Sequence, residues 1–225
     1  MAYPQGCQCH ALSWFGETVH MIRIVDYGIG NIQAFLNLFD RLGLEAKRAK
    51  DIDDLEDASH LILPGVGHFD YAMQSFNNSG LRVRLEELVL KQKVPILGIC
   101  VGMQMMADSS EEGVLDGLGW LPGSVKSLKS CIMNDSLPLP HMGWNELQVN
   151  IHHELFPSVD SEPPEFYFLH SFYFSAKQPS DVIATTNYGI NFDSVVCNGN
   201  IFGMQCHPEK SHTWGQRFLR AFAEL

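Results

Sequence analysis

A thiol, an imidazole and a carboxylate in this chain have the order and surroundings to do covalent chemistry. Cys100 sits in Gly98-Ile99-Cys100-Val101-Gly102, after the apolar run Val94–Leu97 and before a segment of helical pattern. Gly-x-Cys-x-Gly between a strand and a helix is the cysteine form of a nucleophile elbow. The glycines leave room on a cramped turn, and the turn presents the sulfur at the carboxyl end of the sheet. The following helix N-terminus favours a thiolate. The amide of Val101 points toward the oxyanion that attack would create. Downstream, His207-Pro208-Glu209 follows the strand-like Ile201–Gln205. A thiolate nucleophile needs a base that takes its proton and returns it to the leaving group, and His207 can do both. Glu209, two residues on, lies on the same side of an extended segment and can hold the imidazole in one tautomer. A lone cysteine is usually a buried, inert thiol; the elbow, histidine and carboxylate together favour acyl transfer.

The elements that must position these groups alternate in type. Ile22–Asp26 reads as a strand and Tyr27–Gly30 as a turn. Ile32, Phe35, Leu36, Phe39 and Leu42 fall on one helix face that Gly43 ends. Leu44–Ala49 is the next strand and acidic Asp51–Ala58 a short helix. His60–Leu63 is a buried-type strand stopped by Pro64-Gly65. Leu81, Leu85, Leu88 and Val89 mark another helix face, Val94–Ile99 another strand, and Gly102–Asp108 the helix after it. Such alternation predicts an α/β fold, an open and mostly parallel sheet with helices on both faces. From about Gly123 to Asn200, short aromatic segments rich in turn residues read as an antiparallel extension of the same sheet. Residues 1–20 show neither helical nor strand periodicity and make a poor signal peptide. They are expected to be a non-core extension, with 21–225 as the catalytic domain.

Composition narrows the function. The chain has 225 residues and a net charge of −11. This argues against a nucleic-acid binder, which needs a basic face. Its 45 % hydrophobic and 18 % charged residues are those of a globular chain. The six cysteines, Cys7, Cys9, Cys100, Cys131, Cys197 and Cys206, are sparse and irregular. They read as reduced thiols of a cytoplasmic protein. No run reaches the ~18 apolar residues of a membrane helix. Gly28-Ile29-Gly30 lacks the third glycine of a dinucleotide fingerprint, because Gln33 stands there. Adjacent His152 and His153 have poor metal-ligand geometry. Neither a cofactor nor a metal is expected.

Gly98–Gln104 (GICVGMQ) with His207–Ser211 (HPEKS) resembles the class I, triad-type glutamine amidotransferases. Within them the chain is most similar to the glutaminase subunits of imidazole glycerol phosphate synthases. Asp26–Asn31 (DYGIGN), Leu63–Gly67 (LPGVG), Pro140–Asn145 (PHMGWN) and His170–Tyr173 (HSFY) add to the match, which runs from about Met21 to Leu225.

The resemblance implies that Cys100 attacks the side-chain amide of glutamine, with His207 as general acid/base and Glu209 as its orienter. It implies an oxyanion hole from amides near Val66 and at Val101. Gly67, Gln104, Ser171 and Phe172 would hold the substrate; the family often has Tyr where Phe172 stands, which touches binding only if a hydroxyl matters. It further implies a heterodimer with a HisF-like (β/α)8 cyclase that receives ammonia through its barrel. Asn31, Trp144, Tyr167 and Lys210 would lie at that interface, and docking would switch the glutaminase on. Three other readings remain. HPEKSH with Gly215 is a little closer to paralogues that supply ammonia for amidating a surface-polysaccharide nucleotide sugar. Another cysteine or esterase-like hydrolase on a similar elbow is the second, and the His-x-Glu arrangement and Gln104 argue against it. An inactive subunit that only stabilises a barrel partner is the third, and the intact triad argues against it.

Overall fold

The computed structural model describes residues 21–131, 137–156 and 162–225. The expected extension 1–20, with Cys7 and Cys9, lies outside the described residues. The amino-terminal half holds β1 (Ile22–Val25), α1 (Ile32–Arg41), β2 (Ala46–Ala49), β3 (His60–Gly65) and α2 (Phe69–Asn78). Next come α3 (Arg82–Glu86), which widens into a π-helical turn over Glu87–Lys91, β4 (Ile96–Cys100) and α4 (Val101–Met105). The carboxy-terminal half holds β5 (Ser109–Ser110), β6 (Gly123–Ser127), α5 (Leu128–Cys131), β7 (His141–Glu146), β8 (Gln148–Val149) and β9 (Glu165–His170). It ends with β10 (Phe172–Ala176), β11 (Val182–Asn187), β12 (Asn191–Asn198), β13 (Ile201–Met204) and α6 (His212–Ala223).

The main sheet runs β2-β1-β3-β4-β13-β12-β11-β8. From β2 to β13 the pairs are parallel; β12, β11 and β8 add antiparallel strands at the far side. Every residue of β1, β3, β4 and β13 is buried. A strand buried on both faces reads as a continuous apolar run, which is why these segments are visible without alternation. The helices supply the cover: Phe35, Leu38 and Phe39 of α1, Phe69, Met73 and Phe76 of α2, and Phe218, Leu219 and Phe222 of α6 are all buried.

Three expectations need correction. The second half does not all extend the main sheet. β10-β6-β5 form a small sheet of their own, and among the described residues β7 pairs only with β9. β3 does not stop at Pro64. It continues to Gly65, with Pro64 opposite Ile99 and Gly65 opposite Cys100. The Pro64 carbonyl accepts from Tyr27 Oη at 2.7 Å. In a strand the N–H would face the same side, where the β1 ladder has already ended at Ile24 opposite Ile62. A missing donor therefore breaks no ladder bond. Finally, Asp51–Ala58 contains only a single 3₁₀ turn, Asp53–Leu55.

Candidate active site

Cys100 is the last residue of β4 and the cap of α4, at φ 55°, ψ −115°. A positive φ on a residue with a Cβ is uncommon and strained, and here it aims the sulfur out of the strand end. The neighbouring glycines are required by contact. A Cβ on Gly98 would stand 2.8 Å from the Gly102 carbonyl, and one on Gly102 would stand 1.9 Å from the Leu63 carbonyl. The expected help from a helix dipole is small, because α4 spans five residues and the effect accumulates over a longer helix.

The positive charge comes instead from His207. Its Nδ1 stands 2.9 Å from Glu209 Oε1, and both side chains are under 5 % exposed. Burial opposes the imidazolium, but hydrogen bonds to Cys100 and Glu209, and the charges of both, outweigh it and raise His207 to about 10. A cation beside Sγ is the partner a thiolate needs. Glu209 reaches the ring differently from expectation. Pro208–Lys210 is a 3₁₀ turn, not an extended segment, because proline at its first position has the φ that starts a helical turn.

Sγ opens into a cavity of about 260 Å³ lined by Val66, Gly67, Val101, Gln104, Ser171 and Phe172, the residues named for oxyanion and substrate contacts. His207 and Lys210 line it too. Gln104 is almost wholly buried; its Nε2 donates to the Phe172 carbonyl at 2.9 Å and to Gln205 Oε1 at 3.1 Å. Gln205 Nε2 in turn lies 3.9 Å from Sγ. Two contributors escaped the sequence reading. Gln205 carried no distinguishing pattern. Glu112, on the cavity wall, accepts from the first amide of α2 at 2.9 Å.

The four residues named for a partner surface lie beside this cavity. Trp144 and Tyr167 are paired across β7 and β9, edge to face at 6.1 Å, and Lys210 Nζ sits 5.6 Å above the Tyr167 ring. Trp144 is exposed and stacks on His212 at 5.1 Å. Asn31 caps α1, accepting from Ala34 N at 3.2 Å. It also lines a small cavity with Val66, His207, Glu209 and Lys210. Cys131, Cys197 and Cys206 are free thiols like Cys100. Cys206, next to His207, is fully buried, and burial first of all holds its thiol well above the usual range.

The glutamine amidotransferase class-I family model matches residues 23–224. The chain belongs to that family. A class I amidotransferase is therefore the frame for Cys100, His207 and Glu209. The chain is 50 % identical over 205 residues to a relative from Bdellovibrio bacteriovorus named imidazole glycerol phosphate synthase subunit HisH; this covers 91 % of the chain and 100 % of the relative. A Leptospira interrogans protein of the same name is 45 % identical with the same coverage. A solved glutamine amidotransferase superposes with a TM-score of 0.68 at 21 % identity, over 90 % of this chain and 97 % of that one. At that identity the likeness concerns the fold, including the sheet that carries the elbow.

Proposed function

We propose that this class I amidotransferase is a glutaminase subunit. It hydrolyses glutamine and passes the ammonia to a (β/α)8 cyclase of the HisF type, for imidazole glycerol phosphate synthesis in histidine biosynthesis. The observation that carries the reading is Cys100 at positive φ with a His207–Glu209 pair beside it, over a cavity at the sheet's carboxyl end. The names of relatives up to 50 % identical supply the pathway.

The Cys100 thiolate attacks the glutamine side-chain amide carbon. Amides at Val66 and Val101 take the charge of the tetrahedral oxyanion. His207 gives its proton to the departing nitrogen, ammonia leaves, and a glutamyl thioester remains. The same imidazole then takes a proton from water, which attacks the thioester and releases glutamate. Glu209 keeps Nδ1 paired so that Nε2 faces the reaction. Every step is acyl or proton transfer, so the reaction calls for no cofactor. Gly67, Gln104, Ser171 and Phe172 hold the substrate. Phe172 supports this through its backbone, whose carbonyl Gln104 holds, a contact in which its ring has no part.

Asn31, Trp144, Tyr167 and Lys210 form the docking face of a heterodimer, and docking shifts the site to its competent state. We place this chemistry in the cytoplasm, in residues 21–225, with 1–20 as a non-core extension. The test is glutamate release by the chain alone and with the histidine cyclase of the same genome and its ribonucleotide ligand. Strong stimulation that vanishes in Cys100→Ala is expected. A folded chain that no cyclase stimulates would move the assignment to the polysaccharide paralogue.

A further inference from the structure

Two buried histidines outside the triad form the middle of a hydrogen-bonded chain that ends at the nucleophile. His141 of β7 and His170 of β9 stand opposite each other in the register, and His141 Nδ1 is 2.9 Å from His170 Nε2. The proton positions follow from the two ends. His170 Nδ1 is 2.9 Å from the Phe172 carbonyl, which can only accept, so Nδ1 carries the hydrogen. At the other end, Asn145 Oδ1 accepts from Glu146 N at 2.9 Å, which turns Nδ2 toward His141 Nε2 at 3.2 Å. Nε2 of His141 therefore accepts, and its Nδ1–H donates to His170 Nε2. Both rings are neutral and both carry the proton on Nδ1, the tautomer that each neighbour dictates.

The surroundings enforce this. His141 is stacked between Tyr188 at 4.0 Å and Phe168 at 4.8 Å, and Phe192 meets His170 edge-on at 5.0 Å. Burial holds His141 down to about 4 and His170 to about 3, the latter pressed further by His141 and His207. From the Phe172 carbonyl the chain continues through Gln104 and Gln205 to Cys100 Sγ. Its outer end, Asn145, follows exposed Trp144 on β7 and also donates to the Asn187 carbonyl at 3.0 Å.

We propose that His141 and His170 are positioning residues, a neutral relay that orients the Ser171–Phe172 wall and Gln104 from the outer strand β7. Two donors, His170 Nδ1 and Gln104 Nε2, converge on one carbonyl, so losing the relay frees the wall that meets the substrate. For its effect on glutamine the relay rests on the glutaminase reading; its tautomers do not.

The test uses the full chain, assayed with the histidine cyclase of the same genome and its ribonucleotide ligand, and two variants. His141→Phe keeps an aromatic ring in the stack but offers no donor; His141→Asn keeps a donor at the Nδ1 position. Imidazole ¹⁵N chemical shifts at neutral pH should show both wild-type rings protonated on Nδ1 alone. His141→Phe should raise KM for glutamine by about tenfold with kcat far less changed, the scale of one lost buried hydrogen bond. His141→Asn should restore most of that loss. An imidazolium or an Nε2–H tautomer in either wild-type ring overturns the relay, and so does an equal KM for the two variants. Absence of glutamine hydrolysis in the wild type as well overturns the glutaminase reading instead, and the tautomers then decide the relay alone.

Discussion

His207 has its charge set by two neighbours of opposite role. Cys100 presents the sulfur that the imidazolium faces, and Glu209 fixes the ring. Because its pKa in the folded chain is raised to about 10, above the ordinary 6.5 of the unfolded chain, the linked stabilisation is fully present below pH 6.5. It is lost as pH rises through 10. Glu209→Gln removes one of the two supports. The variant should melt lower than wild type near neutral pH, and the gap should close as pH climbs toward 10. The melting temperatures of both proteins across that window check this. Its glutaminase kcat should fall by about 10²–10⁴. Cys100, His207 and Glu209 were legible as a group because an elbow motif and a His-x-Glu carry their chemistry in local spacing. The role of Gln205 was not, nor was the pairing of His141 with His170. Both histidines stand in motif segments, but their contact becomes visible only when β7 is laid against β9, and that of Gln205 only when β13 lies beside β4.

At the scale of elements, the elbow depends on how closely α4 rides over β3 and β4. A methyl on Gly102 would fall 1.9 Å from the Leu63 carbonyl, a backbone atom that cannot rotate away. Gly102→Ala should therefore destabilise the fold by about 3 kcal/mol, the upper end of overpacking costs. A urea midpoint compared with that of wild type measures it. The parallel strands β1, β3 and β4 were legible because burial on both faces leaves an unbroken apolar run. The helices α2 and α6 fall where the sequence reading names none, although the signal is present. Phe69, Ala72, Met73 and Phe76 are spaced as one face of α2, and Phe218, Leu219 and Phe222 as one face of α6. The end of β3 was misread because proline usually stops a strand. Tyr27 supplies the exception by holding the Pro64 carbonyl where no β1 partner remains. The separate pairing of β7 with β9 could not be read at all, since both strands alternate in the way a sheet extension would.

At the scale of the molecule, the catalytic cavity opens beside a rim of exposed apolar side chains. Val66, Met142, Trp144 and Leu169 are all more than a third exposed. Val66 and Leu169 also line the cavity, so a partner seated on this rim would close the site from water while touching the segments that shape it. Strand β7 joins the two functions, with Trp144 on the rim and His141 at the centre of the buried relay. Each of these roles serves covalent chemistry at Cys100. Acid-quenching the working enzyme with glutamine and mapping adducts by peptide mass spectrometry tests that most directly. Covalent catalysis at Cys100 predicts a glutamyl thioester on the peptide that bears it, with adduct and glutamate release both lost in Cys100→Ala. Undiminished glutamate release from that variant would contradict it.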